Sequence, residues 1–330
     1  MTFTKIAALA ATTALTASVA FADGHQDRTG WPESFTVGTA SQGGTFFAYG
    51  SGWANLVAEE LGVSGGAEVT GGPMQNMALV HTGEAQFGMT TMGPAAESLA
   101  GTNPIAPGLQ MTGACAMFPM YQTPFSVTAL ASSGITTIAD IPAGARIGFG
   151  PAGSTSDTYF PAMMETLGVD FERRNGGWDD LGSQLQDGLL DVIAFAAGVP
   201  VPAVSQLEVQ TDVNIIEFTE DEQAQIIAAF PVAGFTINAD TYTTLEADAR
   251  SVSMWNFAIA GCDLPESFVY AVVDTVMGDN ERMVNIHSAA RSTTPDNWDK
   301  NTVMMWHPGA ARWFTENAGA TIAADMIYGG

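Results

Sequence analysis

Two glycine-rich turns carry the residues best suited to hold a ligand. The first runs from Ser41 to Thr45 and the second from Gly150 to Ser156, and each leads from a strand-like segment into a helix-like one. A helix N-terminus presents N–H groups without intrahelical partners at the positive end of the helix dipole, so it can bind an anion without a charged side chain. Hydroxyl groups that would add donors belong to Thr39, Ser41, Thr45, Ser154, Thr155 and Ser156.

Both turns also have a purely structural interpretation. Glycine turns are common in α/β proteins, and Ser154 to Asp157 has the spacing of a capping box, in which Asp157 serves the helix and not a ligand. The aromatic residues after the first turn, Phe46, Tyr49 and Trp53, recur at helical spacing and predict a core face. Spacing alone leaves ligand binding and helix capping as open alternatives.

Residues for catalysis or metal binding are not grouped in the sequence. There is no G-x-S-x-G elbow, no G-x-x-x-x-G-K-[ST] phosphate loop, no H-E-x-x-H helix and no C-x-x-C pair. The histidines are scattered, and adjacent carboxylates such as Glu59–Glu60 and Asp179–Asp180 point in different directions on a helix. We therefore expect no catalytic residue, no metal site and no cofactor.

Strand and helix signals alternate from Phe35 onward, which predicts an α/β protein with mostly parallel sheets. The first glycine-rich turn lies between a predicted strand at Phe35–Thr39 and a predicted helix at Phe46–Leu61, and the second follows a strand at Arg146–Gly150. A further strand is predicted at Glu68–Thr70 and a short helix at Val199–Leu207. Parallel strands bring such turns together at their carboxyl ends.

Two apolar, strand-like segments predict how the chain is divided. Phe125–Leu130 and Met254–Ala260 would each cross from one lobe to the other and form a two-strand hinge. Lobe 1 would then comprise residues 23–124 and 261–330, and lobe 2 would comprise residues 125–260, including the hinge strands.

The first 22 residues have the pattern of a secretory signal peptide. Lys5 precedes a short apolar run rich in alanine and threonine, which ends at Ala20-Phe21-Ala22, an A-x-A cleavage site. The alternative, a membrane anchor, needs about 20 apolar residues. We expect cleavage after Ala22, a periplasmic location and no stable membrane insertion.

The charge of the chain excludes some classes of partner. It has 35 acidic and only 10 basic residues, for a formal net charge of −25. Such a surface repels nucleic acid and anionic lipid, so neither is an expected partner.

The two cysteines, Cys115 and Cys262, allow two outcomes. In an oxidising compartment they can form one disulfide, but isolated buried thiols are equally common in core strands. The sequence leaves both open.

Eight segments form an ordered set of motifs. The first are Val37–Phe47, Thr70–Asn76 and Gly83–Gly88. They are followed by Gly134–Ile141, Gly150–Ser156, Asp187–Asp191, Ala197–Pro200 and His307–Ala310. Together they resemble the TAXI family, the solute-binding subunits of a class of TRAP transporters. Each motif is weak alone, but the ordered set is specific and spans most of the chain after the predicted signal peptide.

The resemblance implies a two-lobed type II periplasmic-binding-protein fold and a function in solute binding. The lobes would close on a small carboxylate-bearing solute, a keto acid, dicarboxylate or acidic amino acid, which a monomeric protein delivers to a TRAP membrane permease. By this resemblance the ligand-binding residues are Thr39, Ser41, Gly43, Gly44, Thr45, Phe46, Phe47, Gln75, Asn76, Thr90 and Thr91 on lobe 1, and Gly153, Ser154, Thr155, Ser156, Ala197 and Gly198 on lobe 2.

The sequence departs from the family pattern near the expected ligand. Phe46 and Phe47 replace two tyrosines, Pro73 replaces a serine, and Asp157 stands where a basic residue is usual. Asp157 leaves room for an amino group on the solute. A sensor subunit that feeds a receptor, or an enzyme on the same fold, are the alternatives.

Overall fold

The computed structural model describes residues 27–330, so the predicted signal peptide at residues 1–22 lies outside the described residues. Within residues 27–330, no helix is both long enough and apolar enough to cross a membrane. The fold is mixed α/β, as predicted. The strands form one extended arrangement in the order β2 (Ser64–Glu68), β1 (Ser34–Gly38), β3 (Phe87–Thr91), β10 (Ala249–Gly261), β4 (Ala114–Leu130), β7 (Val192–Ala196), β5 (Ala145–Gly148) and β6 (Phe171–Arg174). In addition, β8 (Val213–Ile216) pairs with β4, and β9 (Ala233–Ile237) pairs with β10.

The first part of the chain is a series of strand–helix units. Phe35 and Val37 of the first strand point into the core, and Gly62, with φ 61°, ends the first helix in the left-handed conformation that glycine adopts without strain. The elements are β1 (Ser34–Gly38), α1 (Thr45–Leu61), β2 (Ser64–Glu68), α2 (Pro73–Thr82), β3 (Phe87–Thr91) and α3 (Met92–Ala100).

The strand predicted at Glu68–Thr70 was placed too late in the sequence. β2 pairs in parallel with β1 from Ser64 to Glu68, and Val69 is exposed beyond the end of this ladder. The Thr70 hydroxyl accepts from the N–H of Gly72 at 3.1 Å, so this residue belongs to the turn before α2. The apolar character of Val69 misled the prediction, because the pairing strand is built mainly from small residues.

Two long antiparallel strands cross the molecule: β4 (Ala114–Leu130) and β10 (Ala249–Gly261). They pair with each other from Ala114 to Pro124 of β4. Beyond Pro124, β4 pairs with strands of the second part of the chain. The C-terminal part of β10, from Asn256 to Ala260, pairs with β3 of the first part. The predicted two-strand hinge is confirmed.

The middle of the chain repeats the strand–helix pattern. The helix predicted at Val199–Leu207 begins later, because Pro202 occupies its first turn, where a missing N–H costs nothing. The elements are β5 (Ala145–Gly148), α4 (Thr155–Thr166), β6 (Phe171–Arg174), α5 (Trp178–Gln186), β7 (Val192–Ala196), α6 (Pro202–Gln210), β8 (Val213–Ile216), α7 (Glu220–Ala229) and β9 (Ala233–Ile237).

The end of the chain returns to the first part. α8 (Glu266–Met277), α9 (Asn280–Ile286) and α10 (Pro308–Ala318) follow β10. Phe268 of α8 packs against the rings of Phe35 and Phe87. The C-terminal helices therefore complete the core of the first part of the chain.

The buried apolar side chains fall into separate sets that follow this division. One set contains residues between 35 and 121 and between 257 and 320, and the other sets contain residues between 125 and 254. We call the first region lobe 1 and the second lobe 2. The predicted boundaries at 124/125 and 260/261 fall inside β4 and β10.

Cys115 and Cys262 form a disulfide, with Cα atoms 5.1 Å apart. Cys115 lies at the start of β4, and Cys262 directly follows β10. Of the two outcomes that the sequence left open, the structure has the bridge, and it ties the crossing strands together at their lobe 1 end.

Candidate functional site

A small cavity lies between the lobes, where the carboxyl ends of the strands meet. The centres of water molecules can occupy about 30 Å³ of it, which is room for about two waters. Both lobes contribute to its wall. It is lined by Ala40, Gly44, Thr45, Phe46, Pro73, Thr91 and Thr123, and by Ser154, Thr155, Trp178, Ala196 and Ala197.

The N-terminus of α1 points into this cavity from lobe 1. The preceding turn needs glycine at Gly43, where φ is 78°, and Gly44 is extended before the helix begins. Thr45 and Phe46 are buried, yet their backbone N–H groups have no hydrogen-bond partner among the described residues. Buried backbone N–H groups are nearly always paired in proteins, so these two donors indicate a place for a ligand or ordered water.

The N-terminus of α4 points into the same cavity from lobe 2. Ser154 caps the helix by accepting a hydrogen bond from the N–H of Asp157, and its own N–H donates to Pro151. The N–H groups of Thr155 and Ser156 are buried and have no partner within residues 27–330. The structure therefore brings helix N-termini of both lobes to one cavity, and the residues with free N–H groups in its wall are Thr45, Phe46 and Thr155.

Asp157 belongs to the scaffold around this helix. Its carboxylate accepts from the N–H of Gly153 at 2.9 Å and from Asn175, and it forms an ion pair with Arg173. The capping box is therefore only half formed, since the carboxylate reaches Gly153 instead of the N–H of Ser154. With these partners, Asp157 has no free oxygen for an amino group of a ligand.

Trp178, the first residue of α5, fills the space between the two glycine-rich turns. A Cβ atom at Gly44 would lie 2.8 Å from Cδ1 of Trp178, and one at Gly150 would lie 2.6 Å from its Cη2. The indole also stacks on Phe195, with ring centroids 4.5 Å apart. The two glycines are needed because the ring approaches both backbones, and the ring forms an apolar wall of the cavity.

A buried polar network forms the end of the cavity nearest to the hinge. Asn256 of β10 accepts from Thr91 at 2.8 Å and donates to Thr123 at 2.7 Å and to the carbonyl of Tyr121. The Thr91 hydroxyl lies 2.9 Å from that of Thr155 on lobe 2. All the polar atoms of this network are paired, so it fixes the position of both lobes at this end.

Residues 37–318 match the model of the NMT1-like family, which covers most of the chain. The chain belongs to the NMT1-like family. No curated protein matches it significantly.

Solved structures similar to this NMT1-like protein are periplasmic binding proteins. BugD is 15% identical, with a TM-score of 0.57 over 88% of this chain and 99% of its own. Rpa4515 of R. palustris, solved with adipate, is 17% identical, with a TM-score of 0.56 over 88% and 98%. MatC of Rhodopseudomonas palustris, with bound malate, is 13% identical, with a TM-score of 0.53 over 86% and 95%. At these identities the similarity shows the fold, that of two-lobed periplasmic binding proteins.

The predicted site residues of this NMT1-like protein divide into two groups. Those that line the cavity are Gly44, Thr45, Phe46, Thr91, Ser154, Thr155 and Ala197. Those that lie outside its lining are Thr39, Ser41, Gly43, Phe47, Gln75, Asn76, Thr90, Gly153, Ser156 and Gly198.

Several residues of the second group use their side chains inside the protein. Asn76 donates to the carbonyls of Thr39 and Met89 and accepts from Thr70. Gln75 accepts from the N–H of Gly71. These amides hold the turns of lobe 1 in place.

The remaining hydroxyls of the second group differ in their hydrogen-bond partners. The Thr39 hydroxyl donates to Glu68 at 2.6 Å, and Ser156 donates to the carbonyl of Ala194. Thr90 has only a long contact, at 3.4 Å, to the carbonyl of Thr91. Ser41 differs, because its hydroxyl is buried without a partner in the described part of the chain.

Direct contacts between the lobes surround the cavity. The Thr45 hydroxyl donates to the carbonyl of Gly198, and the N–H of Ala203 donates to Gly43 at 3.0 Å. On another side, the Tyr159 hydroxyl donates to Glu97 at 2.7 Å. The lobes therefore stand in a closed arrangement in this structure.

His287 adds a further contact between the lobes. Its Nδ1 accepts from the N–H of Ala289, so its Nε2 carries the proton and donates to the carbonyl of Pro200 at 3.1 Å. Burial lowers the pKa of His287, although the bond to Pro200 opposes this effect. The neutral ring is the form that both hydrogen bonds require.

Trp178, Thr123 and Asn256 were missed by sequence reasoning. Asn256 did have a signal, because it is a single amide in the apolar run from Met254 to Ala260, and a buried polar group needs partners. Trp178 had none that spacing could reveal, since its role depends on the approach of two distant turns.

Proposed function

We propose that this protein is an extracytoplasmic solute-binding protein that captures a small carboxylate-bearing solute by lobe closure and delivers it to a TRAP-type membrane permease. The solute class includes keto acids, dicarboxylates and acidic amino acids. The observation that carries the proposal is the set of buried, unpartnered N–H groups at one cavity, those of Thr45 and Phe46 on lobe 1 and that of Thr155 on lobe 2. A carboxylate accepts such hydrogen bonds and is favoured at helix N-termini.

Closure is the mechanism by which the solute is held. In the proposed division, lobe 1 comprises residues 23–124 and 261–330, and lobe 2 comprises residues 125–260. Since donors of both lobes contact the solute only when the lobes are together, binding shifts the equilibrium from open to closed by its differential affinity for the two forms. Adipate and malate, the ligands named for two proteins of the same fold, are carboxylates, which supports this solute class.

Delivery to a permease rests on the resemblance to TAXI proteins and on the predicted signal peptide. Cleavage after Ala22 would release the mature protein into the periplasm. The net charge of −25 would favour permease loops that carry lysine or arginine. In this role the protein binds the solute and performs no chemistry on it.

Isothermal titration calorimetry of the mature protein tests the proposal. The titrants are short-chain carboxylic acids, keto acids, dicarboxylates and acidic amino acids, and the control is the neutral primary amide of each acid that binds. We expect saturable binding of at least one carboxylate and none of its amide. The absence of binding by every carboxylate tested would contradict the proposal.

The permease role needs a separate measurement. Proteoliposomes that contain the membrane subunits should take up the identified solute only when the mature protein is added outside. Uptake that is equally fast without the protein would leave solute binding in place but reject delivery.

A further inference from the structure

We infer that the cleft is selective for solutes with a single negative charge, a short monocarboxylate whose remaining atoms are uncharged. This inference rests on the proposed function and narrows its solute class. It follows from the charges and hydrogen-bonding groups that the cavity wall presents to each part of a solute.

The positive end of the cavity matches one negative charge. The N-termini of α1 and α4 supply its free donors, from Thr45 and Phe46 on one side and from Thr155 on the other. Each helix N-terminus acts as about half an elementary charge, so the two together balance about one negative charge. The two oxygens of one carboxylate, each of which can accept two hydrogen bonds, are sufficient for these three N–H groups.

The rest of the wall has no partner for a second charge. Among the described residues that line the cavity, none is ionisable as a carboxylate, amine, guanidinium or imidazole. The hydroxyls of Thr91 and Thr123 are engaged with Asn256. The apolar part of the wall consists of Ala40, Phe46, Pro73, Trp178, Ala196 and Ala197.

Two carboxylates near the cavity, those of Asp157 and Glu97, are already hydrogen-bonded inside the protein. Asp157 is held by Arg173 and Asn175, so neither its carboxylate nor this guanidinium is free for a solute. Glu97 accepts from the Tyr159 hydroxyl at the edge of the interface between the lobes. A second carboxylate or an ammonium group on the solute would therefore be enclosed without a counter-ion, which is strongly unfavourable.

The charge of the whole protein and the size of the cavity also favour a short monocarboxylate. The net charge of −25 repels a dianion more than a monoanion. The closed cavity is small, since water centres can occupy only about 30 Å³ of it. This size limits the length of the solute. A short acid with an apolar or hydroxyl-bearing tail fits these conditions.

Calorimetry with solutes of equal chain length tests the inference. Pentanoate and 2-oxopentanoate are compared with 2-oxoglutarate and glutamate, which have the same five-carbon skeleton, and the three- and four-carbon sets are treated in the same way. We expect the tightest solute to be a monocarboxylate, with a Kd at least about tenfold below that of its matched dicarboxylate and amino acid, a difference of about 1.4 kcal/mol.

The outcomes separate this inference from the proposed function. A dicarboxylate or amino acid that binds as tightly as the best monocarboxylate would overturn the inference and leave the proposed function standing. If no carboxylate of any class binds, both are overturned.

A variant with a new cation in the wall provides an independent test. Ala197→Lys should move the affinity ratio between matched dicarboxylate and monocarboxylate toward the dicarboxylate by at least about tenfold. Ala197→Met is the control of similar size without charge, and circular dichroism verifies folding of both. Ala40→Lys, with Ala40→Met as its control, places the cation on the other lobe should Ala197→Lys not fold. An unchanged ratio in a folded lysine variant would contradict the inference.

Discussion

The hydroxyl oxygens of Thr91 and Thr155 lie 2.9 Å apart, one at the end of β3 in lobe 1 and the other in the first turn of α4 in lobe 2. Thr91 also donates to Asn256 of the crossing strand β10, so Thr155 donates to Thr91. The residue that joins the lobes thus also carries one of the free N–H groups. Closure of the lobes and presentation of the α4 N-terminus to the cavity are therefore coupled.

Two substitutions of Thr155 separate its hydroxyl from its N–H group. Thr155→Val removes only the hydroxyl, whereas Thr155→Pro also removes the N–H. Proline is well tolerated at the first position of a helix, and ψ of Ser154, 160°, suits a residue before proline. A hydrogen bond to a charged group contributes about 1.5–3 kcal/mol, so we expect the proline variant to bind the carboxylate about 10- to 100-fold more weakly than the valine variant.

Calorimetry of the two Thr155 variants checks this expectation, and thermal unfolding verifies that both are folded. Equal affinity of the two variants would show that the α4 N–H group does not contact the solute.

Gly198→Ala should prevent full closure. A Cβ atom at Gly198 would lie 2.7 Å from Cδ2 of Tyr121 and 3.0 Å from Cγ2 of Thr45. Since Thr45 is on the opposite lobe, relief of this overlap moves the lobes apart. We expect a larger radius of gyration in small-angle X-ray scattering and at least about tenfold weaker solute binding, which corresponds to about 1.4 kcal/mol.

Gly66→Ala is the matched control, because a Cβ atom there would meet nothing within 4 Å. It should leave both the scattering profile and the affinity unchanged. A Gly198→Ala protein that behaves in the same way would refute the steric role of this position.

His307 should make the protein less stable at acidic pH. Burial lowers its pKa from 6.5 to about 4, although its hydrogen bond to Leu264 opposes this effect. Between these values the unfolded chain binds a proton that the folded protein does not, so the free energy of unfolding falls as the pH falls from 6.5 to 4. The pKa difference corresponds to about 3 kcal/mol.

Urea unfolding from pH 7 to pH 4 measures this loss. His307→Asn keeps an acceptor for the N–H of Gly309 and should reduce the slope. Burial also lowers the pKa of His287, so this residue also makes the free energy of unfolding fall as the pH falls below 6.5. Part of the pH dependence should therefore remain in the variant. The same pH profile in wild type and variant would exclude His307 as a cause.

Removal of the disulfide should destabilise the protein without loss of binding. The bridge joins residues 147 positions apart, and a crosslink over such a long segment restricts the unfolded chain, for a typical gain of about 2–5 kcal/mol. The double variant Cys115→Ala/Cys262→Ala should therefore unfold at lower urea concentration. Its solute affinity should be unchanged, because neither cysteine lines the cavity. Equal unfolding midpoints would show that the bridge contributes no stability.

The glycine-rich turns could be predicted because their signal is local. Glycine followed by a hydroxyl residue and an apolar periodic segment marks a turn before a helix, and the alternation of such units predicts the sheet that brings Thr45 and Thr155 together. The hinge strands were recognisable for a similar reason, as apolar runs of strand length.

The detailed roles of side chains could not be predicted in this way. Asn76 and Ser154 were both polar residues at helix starts, yet Asn76 pairs with backbone carbonyls inside lobe 1 while Ser154 reaches the cavity. Trp178 became part of the site through its contact with Gly44, which lies far away in the sequence. These outcomes depend on distances between elements, and sequence periodicity contains no information on them.

The Cys115–Cys262 bridge restricts how the lobes can move relative to each other. A shift of β4 along β10 would break their ladder of hydrogen bonds and is blocked at one end by the covalent link. We therefore expect the two strands to move together. The opening of this protein should then be mainly a rotation about the region beyond the bridge where β4 leaves β10 and pairs with the strands of lobe 2.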